Sequence, residues 1–173
     1  MSQLSKKKIL ELFADLNSEL AKDKAKGELY LVGGAVMCLA FAARPSTQDV
    51  DAYFVPAASL RAAAKRVALR QGINEDRLND GVKGFLSERG SFEPYLELSH
   101  LRVFVAKAEY LLAMKCLAMR IGEEFHNIDD VRYLLRNIGV ERYDKALEVI
   151  GQYYPLERYP QKTLYVLQEL LNP

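Results

Sequence analysis

The sequence holds no tryptophan and only two histidines and two cysteines in 173 residues. With His100 and His126 as the histidines and Cys38 and Cys116 as the cysteines, the sequence argues against a histidine-rich zinc centre and a metal knuckle. Both cysteines lie in apolar stretches of helical character and read as buried free thiols, not as a disulfide. Excess charge of either sign is also lacking: 24 Lys and Arg stand against 23 Asp and Glu, a net charge of +1. That excludes a strongly basic coat for nucleic acid but leaves room for a local basic patch. No apolar run is long enough to span a membrane, and the opening MSQLSKKKILELF carries lysines without an apolar signal segment. A cytoplasmic protein with no membrane association is the expectation. Neither Gly-x-x-x-x-Gly-Lys-Ser/Thr nor Gly-x-Gly-x-x-Gly occurs, so a P-loop and a dinucleotide fingerprint are absent. There is no internal repeat and no low-complexity linker.

Half of the residues are hydrophobic, enough to form a core without staples. Ile9, Leu12, Phe13, Leu16 and Leu20 recur at helical spacing, with Asp15 and Glu19 as polar interruptions, and predict a helix over about 3–24. Residues 28–32 read as a strand, 35–43 as a buried helix, 49–55 as a strand, and the stretch after Pro56 to about Gln71 as a helix. Glycines and asparagines punctuate 72–91 as loop. Strands follow at 95–98 and 101–105, then helices at roughly 107–121, 128–138, 140–153 and 161–171. The pattern predicts an α+β fold: a mixed sheet flanked by helices in residues 1–106, and a C-terminal helical bundle, residues 107–173, against it.

The chemistry concentrates in LYLVGGAVMCLAFAARPSTQDVDAYF, residues 29–54. A strand that ends in Gly33-Gly34 and turns into a helix exposes backbone N–H groups, which with the helix dipole favour a phosphate. Glycine also lets the backbone approach a ligand closely. In a strand, Asp49 and Asp51 would share one face while Val50 and Ala52 point into the core. Two such carboxylates repel each other unless a cation relieves them, and oxygen ligands of this kind suit Mg²⁺. A solvated acidic strand face is the alternative for Asp49 and Asp51, and a plain turn is the alternative for the glycines.

Together, LVGG at 31–34 and DVDAYF at 49–54 resemble the DNA polymerase β-like nucleotidyltransferases. The resemblance implies that the glycine turn holds the phosphates of an incoming nucleotide and that the aspartates hold two Mg²⁺ ions, which align the attacking hydroxyl and the leaving pyrophosphate. Where that family places Ser or Thr after the glycines, this chain has Ala35. A third carboxylate usually comes from a later strand between apolar residues. Leu96-Glu97-Leu98 has that form, which makes Glu97 the candidate third metal ligand, with an ordinary solvent-facing residue as the alternative.

A second constellation lies in the helical half. In YLLAMKCLAM, 110–119, Lys115 falls well away from the polar side marked by Glu109 and Arg120 on a helical wheel. It reads either as a cation for nucleotide phosphates or as a lysine covering apolar surface. NIDDVRYLL, 127–135, places Asp129 and Asp130 at a helix start. With RPSTQDVD, 44–51, and AEYLLAMKCLAMR, 108–120, these segments resemble the AbiEii/MenT-like nucleotidyltransferase toxins. That resemblance implies metal ligation by Asp49 and Asp51 and a triphosphate contact from Lys115. It also implies completion of the site by Asp130 (or Asp129) and phosphate contacts from Arg44 and Thr47. It further implies transfer from an NTP to an RNA acceptor, a tRNA end, and a neutralising antitoxin partner. The helix carrying Arg61, Lys65, Arg66 and Arg70 could supply a cationic surface for RNA, or be a solvated helix face. Transfer to a small molecule or to a protein hydroxyl, and a non-catalytic binding protein of the same fold, are the competing readings.

Overall fold

The computed structural model describes residues 3–119 and 125–172. The fold is α+β, with seven α-helices, a five-stranded mixed sheet and a two-stranded sheet among the described residues. The chain divides into two compact units, Met1–Gly84 with Phe92–Ala106, and Phe85–Ser91 with Lys107–Pro173.

The first unit is built on β1 (Leu4–Ser5), α1 (Lys6–Lys22), β2 (Gly27–Val32), α2 (Gly34–Leu39), β3 (Ser46–Thr47) and β4 (Val50–Val55). It continues through α3 (Ala57–Gln71), β5 (Leu78–Asn79), β6 (Phe92–Glu97) and β7 (Leu101–Ala106). The large sheet has the order β5-β4-β2-β7-β6. Its centre is the antiparallel β2–β4 pair, flanked by β7 parallel to β2 and β5 parallel to β4, with β6 antiparallel to β7 at the outer edge. A separate antiparallel pair joins β1 to β3, Leu4 opposite Thr47.

Alternation decides what the sheet buries. Val50, Ala52 and Phe54 are buried, as are Leu29 and Leu31 on β2 and Leu101, Val103 and Val105 on β7. Ile9, Leu12, Phe13, Leu16 and Leu20 of α1 and Leu60, Ala63 and Val67 of α3 fill the same core. Each large aliphatic buried this way stabilises by about 1.5–3 kcal/mol. Ser5 caps α1, its hydroxyl accepting from the Lys8 N–H at 3.2 Å. The helix runs 6–22, shorter than the apolar spacing suggests, because Leu4 and Ser5 pair with β3 instead.

Glu19, one of the polar interruptions of α1, is buried and joins α1 to α3. It accepts from Arg66 at 2.9 Å and from Arg70, and pairs with Lys22 at 3.2 Å, while Arg66 also reaches Asp23. Arg61 pairs with Asp80. Three of the four basic residues of α3 are therefore matched to carboxylates of their own unit. These ion pairs tie α3 to α1 and to the segment that follows it.

The second unit contains α4 (Ala108–Ala118), α5 (Phe125–Asn137), α6 (Tyr143–Gly151) and α7 (Gln161–Leu171). Tyr110, Leu111, Leu112, Ala113 and Cys116 of α4 are buried, as are Val131, Leu134 and Leu135 of α5 and Ala146 and Ile150 of α6. Segment Phe85–Ser91 is tied to these helices by tyrosines. The Ser87 N–H donates to Tyr110 Oη at 2.9 Å, the Ser87 hydroxyl donates to the Tyr153 carbonyl, and Tyr154 Oη donates to the Phe85 carbonyl. Both cysteines are buried free thiols, and burial pushes the Cys116 thiol up to about 12. No described helix is long and apolar enough to cross a membrane.

The α1–α3 ion-pair network sets a pH dependence. Hydrogen bonding from Arg66, assisted by Lys22 and the charge of Arg70, holds the Glu19 carboxyl below its ordinary 4.5 against the opposing effect of burial. The unfolded chain then binds this proton more readily than the folded one. The Glu19 contribution is fully present above about pH 4.5 and is lost as pH falls through the lower folded value. Glu19→Gln should cost about 1–3 kcal/mol at pH 7 and flatten the loss of stability below pH 4.5, measured by urea unfolding. Parallel wild-type and variant profiles would show that the network contributes nothing.

Candidate active site

The site of the first unit begins at the β2–β4 pairing, where Val32 stands opposite Asp51. β2 ends at Val32 and the chain turns at Gly33, whose φ of 72° and ψ of −153° suit glycine alone. A Cβ on Gly33 would lie 3.3 Å from Asp51 Oδ2, so the turn backbone is in direct reach of that carboxylate. At Gly34 a Cβ would lie 2.6 Å from Thr47 Oγ1 and 3.0 Å from Arg44 Nη1. Gly33 is required by its positive φ, and a side chain at Gly34 would displace Thr47 and Arg44; the side chains gathered at the turn are those a phosphate site would use. Gly33, Gly34, Arg44, Thr47 and Asp51 are thus brought together. The helix that follows covers only Gly34–Leu39, not 35–43, so its dipole is that of a short helix.

Asp49 differs from its expected setting. β4 starts at Val50, and Asp49 is the residue before it. The Thr47 hydroxyl donates to the Asp49 carbonyl at 3.3 Å, which links this residue to the Gly34 side of the turn. Burial pushes the Asp49 carboxyl above the usual range, Arg77 opposes that shift, and Asp76 adds to it. Arg77 is itself buried, its Nε donating to the Gln48 carbonyl at 2.9 Å.

Asn79, on the neighbouring strand β5, stands opposite Asp51 in register and donates from Nδ2 to Asp51 Oδ1 at 3.1 Å. Sequence patterning misses Arg77 and Asn79 because β5 is two residues long and lies inside a stretch punctuated as loop. The local signal that existed is the Asn74-Glu-Asp turn, where Asn74 Oδ1 accepts from the Asp76 N–H at 2.9 Å.

Glu97 is not part of this group. It lies on edge strand β6, opposite Arg102, which stands opposite Glu28, which in turn stands opposite Val55 at the far end of β4 from Asp51. Three strand spacings across and four residues along put it about 19 Å from Asp51. Its side chain is 78% exposed and pairs loosely with Arg102 at 3.8 Å. Sheet order, which the sequence does not declare, corrects the expectation. Among the described residues no three Asp, Glu, His or Cys side chains form one metal-holding group.

Lys115 and Asp130 belong to the second unit and meet each other. Lys115 Nζ lies 2.8 Å from Asp130 Oδ2, with the two side chains only 11% and 4% exposed. Lys115 is therefore a paired, nearly buried cation and not an apolar cover. Asp129, the other member of the acidic pair, faces solvent and pairs with Arg132 at 3.2 Å. Of the two aspartates, Asp130 is the one that meets Lys115. His126 falls among residues whose side chains lie outside the described set.

Breaking a buried pair from one side strands the other charge. Lys115→Met should cost about 3–5 kcal/mol, and adding Asp130→Leu should recover most of it, measured as urea unfolding of the two variants. An unchanged stability in Lys115→Met would mean that the pair is not held in solution. Comparison with protein-family models, with curated proteins and with solved structures finds no match.

Proposed function

We propose that the chain is a Mg²⁺-dependent nucleotidyltransferase that transfers NMP from an NTP to an acceptor hydroxyl. The acceptor in this reading is an RNA, a tRNA end, and the protein is the toxin of a toxin–antitoxin pair. The observation that carries the enzymatic part is the double close approach at the glycine turn, Gly33 to Asp51 and Gly34 to Thr47 and Arg44. A turn without side chains, a guanidinium, a hydroxyl and a carboxylate are the groups a metal-bound polyphosphate needs around it.

In this reading Mg²⁺ would be held by Asp51 at the turn and by Asp49, the residue just before β4, with the remaining positions left to water and substrate phosphates. When bound, the ion would supply neutralisation of phosphate charge and an anchor for the attacking hydroxyl. The chain's own residues do the rest. Arg44 and Thr47 would hold the phosphates, and the glycines would let them settle against the backbone. Asp51, fixed by Asn79, would present one oxygen at the turn. The acceptor hydroxyl would attack the α-phosphorus and release its proton to water, and the bond to pyrophosphate would break. The resemblance gives a role to both Lys115 and Asp130, which pair with each other in the second unit.

RNA as acceptor follows from the motif resemblance alone. The ion-paired state of Arg61, Arg66 and Arg70 favours a second reading, transfer to a small molecule or a protein hydroxyl, which needs no basic surface.

Incubation of the protein with Mg²⁺, total RNA and each labelled NTP in turn should label a discrete RNA species, and Asp49→Asn and Asp51→Asn should each abolish the labelling. Labelling of a small molecule or of protein in a lysate would select the second acceptor reading. Full activity in both variants would end the proposal. Stability should move the other way. Because burial disfavours the charged Asp49, Asp49→Asn should raise the melting temperature in metal-free buffer at neutral pH. Mg²⁺ should raise the melting temperature of the wild type and leave that of the variant unmoved.

A further inference from the structure

We infer that the ring of Tyr53 is the surface on which the base of a bound nucleoside triphosphate stacks, with its phosphates at the Gly33–Gly34 turn. This rests on the nucleotidyltransferase reading above and adds to it the residue that holds the nucleoside.

Tyr53 stands two residues beyond Asp51 on β4, so both side chains lie on one face of the sheet, opposite the buried Ala52 and Phe54. The strand register sets Val32 against Asp51 and Tyr30 against Tyr53. Tyr53 is therefore about 7 Å along the strand from the carboxylate that lies beside Gly33. A nucleotide has one ribose between its phosphates and its base, and two strand residues are the matching gap. β5 pairs with Val50 and Asp51 and ends there, before it reaches the level of Tyr53.

The ring is 37% exposed, yet it is braced from within the sheet. Its centre lies 6.2 Å from that of Tyr30. Tyr30 is stacked on Phe104 at 4.8 Å, with the planes 8° apart, and meets Phe92 edge-on at 5.2 Å. Tyr30 is opposite Tyr53 on one side and Phe104 on the other, so the row crosses three strands in register. A base that settles on a braced ring does not have to order it first, and every base offers a flat face for stacking.

Charge selects one nucleotide over a strand of nucleic acid. Beyond Phe104 the row meets Arg102, which is shared between Glu28 at 3.7 Å and Glu97 at 3.8 Å. Carboxylates on both sides of that arginine make a poor track for further phosphates. The cation and hydroxyl suited to phosphate, Arg44 and Thr47, lie back at the turn. A single base on Tyr53, with its own phosphates at Gly33 and Gly34, satisfies both ends.

The test uses the whole chain with Mg²⁺, each NTP in turn, and inorganic tripolyphosphate, which has the phosphates and no base. By calorimetry, Tyr53→Ala should weaken NTP binding about five- to a hundredfold and leave tripolyphosphate binding unchanged, while Tyr53→Phe should bind both as the wild type does. The chain has no tryptophan, so Tyr53→Trp carries a single indole at the proposed surface. Its emission should be quenched by an NTP and not by tripolyphosphate. Wild-type NTP affinity in Tyr53→Ala overturns the inference and leaves the nucleotidyltransferase reading in place. Equal loss of NTP and tripolyphosphate binding in that variant also overturns it, because the ring would then only support the turn. Quenching of the indole by a short single-stranded RNA and by no NTP overturns it as well, since the ring would face the acceptor. A wild type that binds neither NTP nor tripolyphosphate overturns both the inference and the reading beneath it.

Discussion

Everything in the candidate site depends on the register between β2 and β4. Val32 opposite Asp51 brings the last residue of one strand level with the second residue of the other. The glycine turn then begins beside a carboxylate. Side chains alternate along a strand, so a slip by one residue would turn Asp51 into the core and bring Val50 or Ala52 to the turn. The register is defended by the apolar set behind it. Leu29, Leu31, Ala52 and Phe54 are buried only when Asp51 is not. The hydrophobic core thus sets the geometry of the polar site.

The parts of this arrangement that were legible in the sequence are those whose cause is local. Gly33-Gly34 announced a turn, and the alternation from Val50 to Phe54 announced a strand with Asp51 facing out. Lys115 stood out as a lone charge in an apolar helix, but its pairing with Asp130 is a tertiary contact that the sequence did not declare. What was not legible was strand order. Leu96-Glu97-Leu98 has the right local form, yet β2 and β7 come between it and β4. Asn79 had the opposite problem: it stands opposite Asp51, but on a strand of two residues that no periodicity can reveal.

The arginines of α3 show a third kind of blindness. Read along their own helix, Arg61, Lys65, Arg66 and Arg70 make a basic stripe. Their partners are distant in sequence: Glu19 and Asp23 on or just beyond α1, and Asp80 past the end of α3. Glu19 was visible only as an interruption of an apolar pattern. A carboxylate at such a position is costly to bury alone and stable when several guanidiniums meet it, so it points to cations elsewhere in the chain.

The assignment of Phe85–Ser91 to the helical unit means that the chain passes between the two units three times, at 84/85, 91/92 and 106/107. Neither unit is a single continuous piece of chain. A gene fragment ending after Ala106 would carry Phe85 and Ser87 without Tyr110, Tyr153 and Tyr154, the tyrosines that satisfy or receive their hydrogen bonds. A fragment beginning at Lys107 would lack the opposite half of the same bonds. Transfer of the helical unit to a different sheet cannot proceed by one simple recombination. The short strap must travel with it, embedded in the other partner's coding sequence, which ties the two halves to a shared evolutionary history.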